Sequence, residues 1–130
     1  MGRVQVKRLH PWPTGVAEAE AIQDRLRGRV ELTGPTTFTL VAGLDVHYHG
    51  DDEVTAAVVV LDAGTLEPVE QVVVHGRAAF PYVPGLFAFR ELPALVEALE
   101  LLKATLTCWS ATGTDWRTRA GSAWPATSAC

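Results

Sequence analysis

Residues 40–62, "LVAGLDVHYHGDDEVTAAVVVLD", hold two runs rich in β-branched and aromatic side chains on either side of His-Gly-Asp-Asp, a turn signal. The runs therefore read as two strands joined by a short connection, the first entered through "TTFTLVAGL" and the second spanning "EVTAAVVVLD". A third strand is expected in "LEPVEQVVVHGRA", residues 66–78, and connections this short favour an antiparallel meander. Along the first strand, alternation puts Leu40, Ala42, Leu44 and Val46 on one face and Val41, Gly43, Asp45 and His47 on the other.

Helices flank the meander. In residues 15–31, Val16, Ala19, Ile22, Leu26 and Val30 recur at helical spacing, with acids early and arginines late as a helix dipole prefers. Residues 85–104 also read as helical. Pro93 removes a backbone donor, so the expectation is a short helix through Glu91 and a second one with Pro93 in its first turn. From about residue 106 the character changes: "LTCWSATGTDWRTRAGSAWPATSAC" shows neither helical nor alternating periodicity and predicts no defined element.

The 130 residues suit one small domain, 48% hydrophobic and 20% charged. A formal net charge of −4 argues against general attraction to nucleic acid unless a local patch or bound cations intervene. No apolar run is long enough to cross a bilayer, and "MGRVQVKRLHPWP" lacks the pattern of a secretory signal, so no membrane partner is expected and the chain reads as cytoplasmic. Cys108 and Cys130 provide neither a disulfide framework nor a Cys-x-x-Cys metal signature.

Asp45 lies mid-strand, where an apolar residue would be cheaper; a charge there needs a cation, a donor or a partner. Asp45, His47 and His49 share a face, a pattern open to a small metal cluster or, more commonly, to exposed histidines beside a turn. Arg90 reads as half of a solvated helix pair, and Glu91 as a helix acid like Glu97 and Glu100. What singles out Glu91 is the preceding "FPYVPG", residues 80–85, in which two prolines stiffen a loop that presents Tyr82 and Gly85. A rigid aromatic at a loop tip suits stacking on bases or wedging between them, although a tyrosine in such a turn is more often a plug over the core.

"VAGLDVHY", the hairpin into "AAVVVLD" and then "FPYVPGLFAFRELPALVEAL" resemble endonuclease V, a family that nicks nucleic acid near deaminated adenine, with inosine in RNA the target of some members. The resemblance runs back through "HPWP" and covers residues 10 to about 105. It implies the N-terminal part of a ribonuclease H-like α/β fold in residues 1–105. It also implies a phosphodiester hydrolase of DNA repair that cuts on the 3′ side of deoxyinosine, with no obligate protein partner. By resemblance Asp45 and Glu91 are catalytic ligands of Mg²⁺, and Pro81, Tyr82, Val83, Pro84 and Gly85 form a wedge that separates strands at the lesion. Those residue types suit the chemistry: Mg²⁺ prefers oxygen ligands, and carboxylates from two elements can gather it beside a phosphate.

The family also carries an aspartate in an Asp-Gly-His-Gly motif soon after this helix, and a later lysine, and this sequence has neither. Joining the third base of each codon to the first two of the next, from Thr105/Leu106, code degeneracy permits PDLLVCDGHGLAHPRRFGLACHLGV, which contains the missing motif. Residues 106–130 are therefore expected to be an out-of-frame, disordered tail, leaving a poorly soluble product with impaired nicking. Besides the nuclease reading, two others remain: a non-catalytic nucleic-acid-binding remnant, and a plain α/β domain whose Asp45 and Glu91 are merely solvated.

Overall fold

The computed structural model describes residue 6, residues 8–29, residue 37, residues 39–103 and the backbone of residues 108–111. Three ten-residue strands, β1 (Leu40–His49), β2 (Glu53–Asp62) and β3 (Pro68–Arg77), form the expected meander. Both pairings are antiparallel, with Asp45 opposite Ala57 and Thr55 between His47 and His75. Gly50 turns β1 into β2 with φ at +74°, a conformation that costs glycine little. At the β2–β3 turn the Asp62 carboxylate accepts the Gly64 and Thr65 N–H groups at 2.8 and 2.9 Å. The Thr65 and then the Gly64 amide hold its carboxyl below the usual range.

The alternation has its expected consequence. Ala42 and Leu44 of β1, Val54, Ala56, Val58 and Val60 of β2, and Val74 of β3 are buried together on one face. Helix α2 (Phe87–Glu100) covers that face through Ala94, Leu95, Ala98 and Leu99. Its N-terminal half instead packs Ala88, Phe89 and Leu92 with Phe80 and Leu86 against Ala19, Ile22 and Leu26 of α1 (Val16–Arg27). Val16, at the start of the α1 stripe, is exposed; Val30 lies outside the described residues.

Two expectations need correction. α2 is one continuous helix with Pro93 inside it, not two. An interior proline costs about 3 kcal/mol, but nine of the fourteen α2 residues are buried, on both sides of Pro93. Breaking the helix there would pull one half off its partner, so tertiary packing overrides local propensity. Secondly, residues 108–111, within the stretch read as lacking any element, form strand β4 (Cys108–Ala111), parallel to β1. The sheet order becomes β3-β2-β1-β4. A strand on a free edge is selected by backbone hydrogen bonding, which leaves no periodicity in four residues. The rest of the proposed tail, residues 106–107 and 112–130, lies outside the described residues.

Candidate metal and nucleic-acid site

Asp45 is exposed on β1, and its Oδ1 accepts the Val46 N–H at 2.9 Å. The β4 pairing stops at Leu44–Ala111, one residue short of Asp45. Glu91, in the second turn of α2, is partly buried. Its carboxyl is pushed above the usual carboxylate range, first by burial and then by the negative charge of Asp45, against the opposing pull of the Tyr48 hydroxyl and Arg90. Asp45 is thus close enough for its charge to be felt at Glu91.

Tyr48 projects from the inward face of β1, and its hydroxyl donates to Glu91 Oε1 at 2.9 Å. Burial, then the bond to Glu91, holds its phenol far up in the protonated form. Over its ring, 5.1 Å from the centroid, lies the Arg90 guanidinium. Arg90 is buried, so it is not half of a solvated pair. Nη1 donates to the Phe80 carbonyl at 2.8 Å and Nη2 to the Asp51 carbonyl.

The stiff turn lies immediately beyond Phe80. Pro81, Tyr82 and Pro84 are exposed, while Val83 and Gly85 are half-buried and Val83 packs on the helical cluster. Gly85 has φ at +84°, the left-handed region that a side chain would strain. Its carbonyl accepts Gln23 Nε2 from α1 at 2.8 Å, and Leu86 N–H bonds back to the Val83 carbonyl at 3.0 Å. Tyr82 is 66% exposed and, among the described residues, its ring meets one other aromatic ring, Phe87, in a T-shaped contact 4.7 Å between centroids. It is therefore no plug over the core. Behind the turn, His10 sets its ring edge-on to Phe89 at 6.0 Å, which docks the His-Pro-Trp-Pro segment against α2.

The histidines do something else. His47 and His49 pack ring to ring at 4.6 Å, and His49 Nε2 and His75 Nδ1 each lie 3.0 Å from the Thr55 hydroxyl. No group of three His, Cys, Asp or Glu able to hold a metal occurs among the described residues, so Asp45, His47 and His49 do not assemble as one.

A partly desolvated carboxylate that feels the charge of a second one is a donor set that suits a hard divalent cation. Such an ion needs only one or two protein carboxylates when phosphate oxygens complete its shell. Asp45 and Glu91 fit that minimum.

Sequence reading missed Gln23, Tyr48 and the role of Arg90. A signal existed for the first two: an amide inside the apolar stripe of α1, and a polar-tipped aromatic in line with Leu44 and Val46. For Arg90 there was none, because a buried arginine looks like an exposed one in sequence.

A helix-covered antiparallel meander carrying an acid on its first strand and a second acid on the covering helix defines an α/β domain of the ribonuclease H-like class. The model of the Endonuclease V family matches residues 24–123. The Endonuclease V of Nocardia farcinica is 54% identical over 98 residues, covering 72% of this chain and 42% of the relative, and that of Streptomyces coelicolor is 50% identical over 106 residues, covering 78% and 46%. The crystal structure of Endonuclease V from Streptomyces avermitilis superposes with a TM-score of 0.73 at 45% identity, covering 78% of this chain and 46% of that one. That of Ciona intestinalis Endonuclease V, in complex with a 24mer DNA containing an inosine, shares the fold with a TM-score of 0.70 at 23% identity over 85% and 49%. The chain belongs to the endonuclease V family and spans under half the length of these curated relatives. No helix among the described residues is long and apolar enough to cross a membrane.

Proposed function

We propose that this chain carries the metal-binding carboxylates and the strand-separating wedge of a magnesium-dependent endonuclease that cuts DNA on the 3′ side of deoxyinosine, with inosine in RNA a possible second substrate class. The observation that carries the reading is the pairing of a partly desolvated Glu91, which feels the charge of Asp45, with an exposed aromatic on a doubly held turn one residue upstream of the same helix. Asp45 and Glu91 would hold Mg²⁺, which when bound supplies charge neutralisation at the phosphate and at the leaving oxygen. The chain's own residues do the rest. The exposed Tyr82 ring offers its face to an unstacked base, at a value of about 1–3 kcal/mol per base. Pro81 and Pro84 keep the turn from collapsing on contact, Val83 anchors it in the apolar cluster, and Gly85 permits its exit into the helix.

A binding remnant that recognises the lesion without cutting is favoured by one observation: among the described residues no group of three His, Cys, Asp or Glu able to hold a metal occurs. We propose that a third acid belongs to the shifted reading of the tail. The shifted string, read from Thr105/Leu106, carries an aspartate in Asp-Gly-His-Gly, and Cys108–Ala111 of the same stretch pairs in parallel with β1, the strand of Asp45. A coding sequence whose wobble bases do not spell the string ends that proposal.

The test of function is incubation of the 130-residue chain with an inosine-containing oligonucleotide in Mg²⁺ and in EDTA. Cleavage in Mg²⁺ alone supports the nuclease, and retention without cleavage supports the remnant. Neither binding nor cleavage removes both.

A further inference from the structure

Among the described residues, Gln23 and Arg90 are the polar side chains buried to the level of the core, and both use their head groups on main-chain carbonyls of one turn. Gln23 holds its exit at Gly85 and Arg90 its entrance at Phe80. Prolines stiffen the turn internally, but its attitude to the helix is set by those two attachments. Arg90 also holds the Asp51 carbonyl, just beyond β1, and covers the ring of Tyr48, whose hydroxyl holds Glu91. One cation thus touches both the root of the aromatic turn and the residue that orients the carboxylate.

We propose that Gln23, Arg90 and Tyr48 form a single polar frame that fixes the spacing between the Tyr82 ring and the Glu91 carboxylate. Gln23 and Arg90 position the turn, Tyr48 positions the carboxylate, and Arg90 joins the two. The frame rests on the reading above, that Tyr82 meets a base and Glu91 a cation. Under it, the frame determines which phosphodiester lies over the carboxylates once a base is wedged, so these are positioning residues for the place of the cut. A purely structural role would satisfy the same hydrogen bonds but would tie any loss of binding to a loss of stability.

The experiment compares the 130-residue chain with Gln23→Met, Tyr48→Phe and Arg90→Lys. Four quantities are measured: unfolding temperature, Mn²⁺ affinity by electron paramagnetic resonance, affinity for an inosine-containing oligonucleotide in EDTA, and hydrogen exchange of the Leu86 amide. Tyr48→Phe keeps the ring under Arg90 and is expected to weaken Mn²⁺ binding about 10-fold, leaving the oligonucleotide and Leu86 unchanged. Gln23→Met is the mirror image: faster Leu86 exchange, oligonucleotide binding weaker by about 10-fold as the turn loses its pre-set position, and Mn²⁺ affinity retained. Arg90→Lys weakens both. The frame is overturned if Tyr48→Phe leaves Mn²⁺ affinity within about twofold, or if the variants lose both ligands in proportion to unfolding temperature. Should the unsubstituted chain bind neither ligand, the functional reading fails and the frame falls with it; unchanged Leu86 exchange in Gln23→Met and Arg90→Lys overturns the frame whatever the ligands do.

Discussion

The two halves of α2 face different worlds. Beyond Pro93, Ala94, Leu95, Ala98 and Leu99 press on a sheet whose buried inner face is Ala, Val and Leu, with the half-buried Tyr48 packed against it. Before it, Ala88, Phe89 and Leu92 press on α1 and the aromatic turn, and two polar side chains are sunk beside them. The sheet half is a packed layer that needs volume and nothing more. The turn half has to hold a loop in one position, which apolar contact alone does poorly because it is non-directional; Gln23 and Arg90 supply the direction. Glu91 sits two residues before Pro93, where the halves meet, and accepts the Tyr48 hydroxyl of β1.

The largest effects come from breaking each half in turn. Phe89→Ala removes a fully buried ring from the helical cluster and is expected to destabilise by about 3–5 kcal/mol; Leu95→Ala on the sheet side should cost about 2–5 kcal/mol. Urea unfolding measures both. Their difference in function sharpens the contrast: at protein concentrations and temperatures where both variants remain folded, Phe89→Ala loses oligonucleotide binding and Leu95→Ala keeps it. Equal loss in both would show that the halves are not separable.

Of comparable size is Arg90→Met, which leaves the Phe80 and Asp51 carbonyls without their charged donor and should cost about 1.5–3 kcal/mol per bond lost. Gln23→Leu, a neutral donor lost to one carbonyl, should cost about 1–3 kcal/mol. Denaturant midpoints at one pH rank the two.

The same contrast explains what could be seen in the sequence. The sheet half was legible: period-two alternation in β1 and β2 gave the meander, its buried face and the position of Asp45, because a face either is apolar or is not. The turn half was legible only as an outline. Two prolines and a glycine announced a stiff turn, yet the side chains that hold it, Gln23 from 62 residues upstream and Arg90 from 10 downstream, are brought there by tertiary packing alone. Pro93 misled for the same reason, since local propensity pointed to a break that burial on both sides forbids. β4 was invisible because edge pairing is written in the backbone.

Glu91→Gln probes the meeting point. Folding raises the Glu91 pKa, so the folded chain holds that proton more tightly than the unfolded chain does. The associated stability is present at acid pH and is lost as pH rises from the ordinary carboxylate range through the raised folded value. In EDTA, Glu91→Gln should therefore match the unsubstituted chain at acid pH and become the more stable of the two as pH approaches neutrality. Urea midpoints across that range read the divergence directly. A midpoint difference independent of pH would mean that the carboxylate is not desolvated where α2 meets β1.

The smallest effect completes the comparison within a single turn. Adjacent residues Asp51 and Asp52 each meet an arginine: Arg90 is buried against the Asp51 carbonyl, whereas Arg77 pairs with the Asp52 carboxylate at 3.0 Å with both side chains more than half exposed. Only the second is a formal ion pair, yet solvent and salt screen it, and Asp52→Asn should cost no more than about 1 kcal/mol. Arg90 meets no carboxylate, but it is itself buried and its bond to the Phe80 carbonyl lies out of water, where a carbonyl that loses its donor has no replacement. Arg77→Ala should accordingly shift the denaturant midpoint less than Arg90→Met, and 1 M NaCl should erase most of the Arg77→Ala effect while leaving that of Arg90→Met in place. If the two respond alike to salt, the buried cation is not secluded, and the directional hold on the aromatic turn is weaker than its geometry implies.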